Sequence, residues 1–175
     1  MIIDKIFHIS DVHIRNYQRH TEYNNVFKRL YKYIKDNKTP GSVIYLAGDI
    51  VHQKTDLSPE LVHMVGRFLK SCADICPTIL ICGNHDTNLN NNSRLDALSP
   101  IVENLKHRRL HYWKNSGIYK LTPDSNISFG VCSVFDTIDQ WPPASDLPKS
   151  DIKIALHHGA IMGATTDLNH VIEND

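Results

Sequence analysis

An α/β domain built around a parallel sheet is predicted by three observations. The first half of the chain contains three β-rich apolar runs, segments with helical periodicity separate them, and each run ends abruptly in acids, imidazoles or amides. The first run covers residues 2–10, and its unbroken apolar character suits a strand buried on both faces. Residues 21–37 follow, with Tyr23, Val26, Phe27, Leu30, Tyr31 and Ile34 on one helical stripe. Residues 42–47 form the second run. A helix over 58–73 comes next, opened by Ser58 as N-cap and Pro59 at the first helical position. Residues 78–82 form the third run, and a third helix is expected to start at Ser93, with Asp96 as its capping-box partner.

Strand, helix, strand, helix, strand is the order of βαβ units. The second half changes character. Residues 110–113, 118–121, 127–132 and 152–156 read as short strands separated by Gly, Asn, Asp and Pro, which predicts a second, mixed sheet packed on the first. Residues 136–148, with Trp141-Pro142-Pro143, read as a surface loop.

A length of 175 residues suits a single domain, 1–175, and 41% hydrophobic with 22% charged residues excludes a disordered or collagenous chain. No apolar run approaches the roughly 20 residues of a transmembrane helix. The N-terminus lacks the basic lead and small-residue cleavage site of a signal peptide, so an intracellular protein with no membrane partner is expected. Nineteen basic and nineteen acidic side chains give no global field to attract nucleic acid, so a phosphate-bearing ligand must be held locally. Cys72, Cys76, Cys82 and Cys132 include no Cys-x-x-Cys pair and read as buried, reduced thiols. The unusual count is eleven histidines, since neutral imidazole is the commonest metal ligand.

The histidines lie where chemistry is expected. Asp11-Val12-His13 follows the first strand, Gly48-Asp49 the second, Gly83-Asn84-His85-Asp86 the third, and His157-His158-Gly159 a later one. Ligands of open α/β sheets bind at the carboxyl ends of the strands, so these four ends converge on one place. Alternate side chains of Asp11 and His13 can reach one ion together, while Asp49 offers two oxygens and can bridge two. Gly48 and Gly83 allow sharp turns and close backbone approach. Carboxylate, imidazole and amide without thiolate is a ligand set for manganese, iron or zinc in a hydrolytic centre. A pair of such ions can clamp a phosphoryl group and activate water. Arg94, shortly after the Asn-His-Asp turn, is the candidate substrate contact. His8 reads as a packed or half-exposed strand residue, and His20, His63 and His170 as surface or helix residues.

With these motifs in this order, the chain resembles the calcineurin-like metallophosphoesterases, whose series is Asp-x-His, Gly-Asp, Gly-Asn-His-(Asp/Glu), His and Gly-His-x-His. The resemblance implies a four-layer αββα sandwich, two sheets flanked by helices, around a binuclear centre of divalent ions, with manganese favoured. It implies that Asp11 and His13 hold the first metal, that Asp49 bridges, and that Asn84 and His157 hold the second, with His158 the less favoured of the adjacent pair. His85, paired with Asp86 or another acid, would stabilise the transition state or protonate the leaving oxygen. Within the superfamily, Ser10 to Ile14, Gly48 to His52, and Gly83 to Asp86 followed by Asn91 to Ala97 are most similar to the nuclease subunit of the SbcCD type. That likeness implies a second functional histidine at His52, DNA as substrate, an SMC-like ATPase partner and a homodimer. The expected function is therefore a metal-dependent DNA exo/endonuclease of break repair or recombination. A phosphatase or small-substrate phosphodiesterase is one alternative, and a non-catalytic scaffold that binds DNA or a partner is another.

One departure is plain. The 175 residues contain no Gly-His-x-His, which supplies a further ligand to each metal in the resembled family. A C-terminally truncated catalytic domain, with weak metal binding and weak turnover, is the resulting expectation.

Overall fold

The computed structural model of the chain describes residues 1–91, 94–149 and 151–159, together with 163, 165 and 171. Its elements are β1 (Lys5–Ile9), α1 (His20–Asn37), β2 (Ser42–Leu46), α2 (Pro59–Ile75), β3 (Thr78–Leu80), α3 (Ser99–Leu105), β4 (Leu110–Tyr112), β5 (Gly117–Tyr119), β6 (Ile127–Cys132) and β7 (Ile152–His157). A 3₁₀ turn at Ile138–Gln140 lies in the loop before β7.

Two sheets form. The first runs β1-β2-β3-β4, all parallel, and the second runs β5-β6-β7, antiparallel then parallel. The second sheet is thus mixed, as its sequence pattern suggested, but one strand changes sheets. Residues 110–112 were expected in the second sheet and instead extend the first, pairing Thr78 with Leu110. The reason is α3, which lies between β3 and β4 and completes a further βαβ unit. Leu110 joins the helical core, while Trp113 just beyond the strand stacks on Tyr119 at 4.9 Å in the space between the sheets.

Strand alternation divides the interior into two cores. On one face of the parallel sheet, Ile44, Leu46 and Leu80 pack against Phe27 and Ile34 of α1 and Leu61, Phe68 and Leu69 of α2. On the other, Val43, Tyr45 and Ile79 meet Ile127, Phe129 and Leu156 of the second sheet. The described residues therefore stack as helices, parallel sheet and mixed sheet. Against the outer face of the mixed sheet lies the 133–149 loop, whose Pro142 and Leu147 approach Gly130.

Helix starts follow local chemistry. Ser58 caps α2 by accepting the Leu61 N–H at 3.2 Å, with Pro59 at the first position. The third helix begins at Ser99, six residues later than expected; Ser93 itself lies outside the described residues, as does His170. Asp96 explains the shift, because its Oδ1 accepts the Leu98 and Ser99 N–H groups at 2.9 and 2.7 Å and holds that stretch in a turn. The four cysteines are free thiols. No helix among the described residues is long and apolar enough to cross a membrane.

Candidate metal centre

The parallel pairing of β1 and β2 continues past both strand ends. Asp11 N–H donates to Gly48 O at 3.3 Å, His13 N–H to Asp49 O at 2.9 Å and Ile14 N–H to Ile50 O at 2.9 Å, and an isolated bridge joins Ile14 to Val51. Between strand and bridge the chain is contorted: Asp11, His13 and Asp49 have φ values of 56°, 47° and 52°. Left-handed backbone costs a non-glycine residue about 1–2 kcal/mol, and here three such residues cluster at the sheet's carboxyl edge. The contortion brings His13 Nε2 to 3.6 Å from Asp11 Oδ1 and 3.5 Å from Asp49 Oδ2.

Two glycines make this closeness possible. A Cβ on Gly83 would collide with the backbone nitrogen and carboxylate of Asp49, and one on Gly48 would sit 2.7 Å from Gly83 N and 2.9 Å from His158 Nδ1. Asp86 joins the same two loops from beneath. Its fully buried carboxyl accepts the Val51 and Gly83 N–H groups at 2.9 and 3.0 Å, and burial pushes its pKa up to about 7. Asp86 is therefore a brace between loops and does not pair with the His85 ring. That ring places Nδ1 2.8 Å from the His52 carbonyl instead.

Asp49 is the centre of the site. It is 3% exposed, its Oδ1 accepts the His85 N–H at 2.8 Å, and its Oδ2 lies 3.3 Å from His158 Nε2. Burial alone would raise its pKa, but the hydrogen bonds from His158 and the His85 amide outweigh it and hold the carboxyl below its ordinary value. The same contact acts on the partner. Asp49 raises His158 to about 9 against the opposing effect of burial, and the Ala47 carbonyl, 2.6 Å from His158 Nδ1, adds to the rise. With Nδ1 engaged there, Nε2 faces the pocket, 3.1 Å from Asn84 Oδ1.

The adjacent histidines split because successive strand side chains point to opposite faces. Sequence reasoning gave the ligand role to His157. In the structure His158 turns toward Asp49 and Asn84, whereas His157 directs Nδ1 to Cys132 O at 2.9 Å and packs its ring 4.6 Å from Trp141. His157 still lines the pocket.

Two groups of donor atoms result, each spanning at most 4.8 Å: Asp11 with Asp49 and His158, and His13 with His52 and His85. The second is a nest of imidazoles with ring centroids 4.7 to 5.7 Å apart. Slight desolvation, with Arg15, His13 and His85 nearby, lowers the His52 pKa. Among the described residues, the buried Nδ1 atoms of His13 and His52 have no hydrogen-bond partner. Unpartnered imidazole nitrogens on the nest, with His13 Nε2 beside the buried Asp49 carboxylate, fit a cation, and the O/N donor set suits a hydrolytic divalent ion.

Asp11, His13, Asp49, Asn84, His85, His157 and His158 all line one cavity of about 480 Å³. Arg94 is exposed and does not line it. His8 does: its ring lies 5.0 Å from that of Tyr45 and borders the pocket. The signal for His8 was its parity with Ser10 just past β1, and both line the pocket.

The chain is 46% identical over 184 residues to an uncharacterized protein, R555, of Acanthamoeba polyphaga mimivirus; the match covers 99% of the chain and 13% of that protein, so the chain spans a small part of the relative's length. A crystal structure of a protein of unknown function, AQ665 from Aquifex aeolicus, aligns over 77% of the chain and 64% of its own, at 18% identity and a TM-score of 0.33. The family model for calcineurin-like phosphoesterases matches residues 4–172, and the chain belongs to that family.

Proposed function

We propose that this protein is a metal-dependent phosphodiesterase, and that its substrate is DNA, cleaved exo- or endonucleolytically in break repair or recombination. The observation that carries the reading is the shared edge of the two donor groups: His13 lies 3.5 Å from Asp49, so an anionic group and two imidazoles of the nest, His13 and His85, face one cavity. Asp11, His13, Asp49 and Asn84 would hold two divalent ions, manganese being the favoured metal, with His157 at the end of β7 and His158 just after it as further donors. Such ions supply Lewis-acid activation of a phosphoryl group and of water.

The remaining side chains have separable roles. His85 stands beside His13 without an acidic partner on its ring, and its Nδ1 is anchored on the His52 carbonyl. Its other nitrogen is thereby oriented to give a proton to the departing sugar oxygen. His52 stacks 5.7 Å from His85 but does not line the cavity, and on the nuclease reading it would act beside His85 as a second functional histidine. An SMC-like ATPase subunit and a second copy of the chain are the partners that accompany this reading.

The test is Mn²⁺-dependent degradation of an end-labelled duplex. Degradation should fall by about 10²–10⁴-fold in His85→Gln while metal binding persists. Hydrolysis of a chromogenic phosphomonoester with intact DNA would replace this reading with a small-substrate phosphatase. DNA binding that survives Asp49→Asn, with no turnover in any form, would replace it with a scaffold.

A further inference from the structure

A second concavity lies away from the metal centre, between α2 and α3. It has a volume of about 590 Å³, and its walls include Val62 and Gly66 of α2, Ile101 of α3 and Leu95 from the preceding loop. Leu95 is 74% exposed, and Leu57 and Val62 are also exposed beside it. Apolar side chains gathered in one groove mark a contact surface more strongly than scattered ones do.

Three of the groove's four charged side chains are basic. Lys54, Arg67 and Lys70 border the groove, and Lys54 and Arg67 have no ion pair among the described residues. Lys70 is shared with Asp74 at 2.6 Å. The groove's carboxylate, Asp96, is already neutralised by Lys114 at 2.8 Å and fully occupied by the turn it stabilises.

Gly66 supplies an independent observation. A glycine inside an α-helix weakens it relative to alanine, so it usually answers a packing need. Here a Cβ would meet only Ile101 Cγ2, at an ordinary 3.7 Å. Nothing among the described residues requires the glycine, and its effect is to deepen the groove where another backbone could approach.

We propose that the α2–α3 groove docks an acidic amphipathic helix of a partner protein, its apolar ridge on Val62, Gly66 and Ile101 and its carboxylates on Lys54, Arg67 and Lys70. A helix suits the site because two helices form its walls and present side-chain ridges, with no strand edge to hydrogen-bond an extended peptide. Nucleic acid suits it less, since phosphate-binding faces are polar and this floor is apolar.

A phage-displayed library of random helical peptides, panned against the 175-residue protein, tests the proposal. Enriched peptides should carry apolar residues at i, i+3, i+4 and i+7 flanked by Asp and Glu. They should bind at least tenfold more weakly to Gly66→Leu, which fills the groove, and to the surface variants Lys54→Glu and Arg67→Glu, with far-ultraviolet circular dichroism showing each variant folded. Enrichment of peptides without acids, or binding indifferent to all three variants, would overturn it. So would a concentration-dependent dimer abolished by Gly66→Leu, which would make the occupant a second copy. Loss of duplex DNA binding in Lys54→Glu and Arg67→Glu, with no peptide enriched, would also overturn it by making the face a nucleic-acid contact.

Discussion

Asp49 and Asp96 are both buried carboxylates at the end of a loop, 3% and 2% exposed, and both are held below the ordinary carboxylate range. Burial and titration do not tell them apart. Their partners do. Asp96 is enclosed by the Leu98 and Ser99 amides, the Ser99 and Tyr112 hydroxyls and the Lys114 ammonium, so its lone pairs are used up inside the protein. Asp49 faces histidines whose ring nitrogens can also bind metal, and its backbone neighbours are strained. A buried acid surrounded by fixed donors supports the fold, whereas one surrounded by imidazoles at the mouth of a cavity is available for chemistry.

The comparison can be broken by exchanging roles. The largest effect is expected for Asp49→Asn, which should weaken Mn²⁺ binding by more than the about 10–100-fold that loss of an outer-shell partner costs, and should also lower the thermal stability of the metal-free protein, because it removes the acid paired with His158. Isothermal titration and calorimetry would measure both. Asp96→Ala should act on stability alone, removing about 3–5 kcal/mol in urea unfolding by leaving the Leu98 and Ser99 amides and the Ser99 and Tyr112 hydroxyls without their acceptor, with Mn²⁺ affinity intact.

Acid sharpens the distinction further. Burial tends to raise the Asp96 pKa, but Lys114 and Ser99 prevail and lower it, so the folded state binds the proton less readily than the unfolded chain. Its stabilising contribution is complete above the ordinary carboxylate pKa and is lost as pH falls through the lower folded value. Unfolding measured from pH 6 downward should therefore lose stability less steeply in Asp96→Asn than in the unmodified protein. The smallest effect concerns Gly66. Gly66→Ala should raise stability by about 0.5–1 kcal/mol, because a Cβ fits there. Gly83→Ala should lower stability, because its Cβ would strike Asp49.

The candidate site was legible because its residues stand directly after apolar runs, where an α/β sheet binds ligands. The first three strands and two helices were legible for the same reason, since their periodicity is undisturbed over many residues. What escaped depended on register or on distant partners. Residues 110–112 are too short to reveal their sheet, and the decision rests with α3, whose own start was misplaced because Asp96 bonds locally to hold a turn. Adjacent His157 and His158 look equivalent until strand parity separates them. Asp86 looked like a partner for His85, yet its oxygens are claimed by the amides of Val51 and Gly83, which lie in separate loops of the sequence.

The most direct measurement of the central claim is an electron paramagnetic resonance titration of Mn²⁺ into the metal-free protein, repeated with Asp49→Asn and Asp96→Asn. Spectra showing exchange-coupled manganese in the unmodified protein and in Asp96→Asn, and no coupling in Asp49→Asn, are the expected result. Manganese that never couples in the unmodified protein, or coupling that persists in Asp49→Asn, would contradict a centre bridged by Asp49.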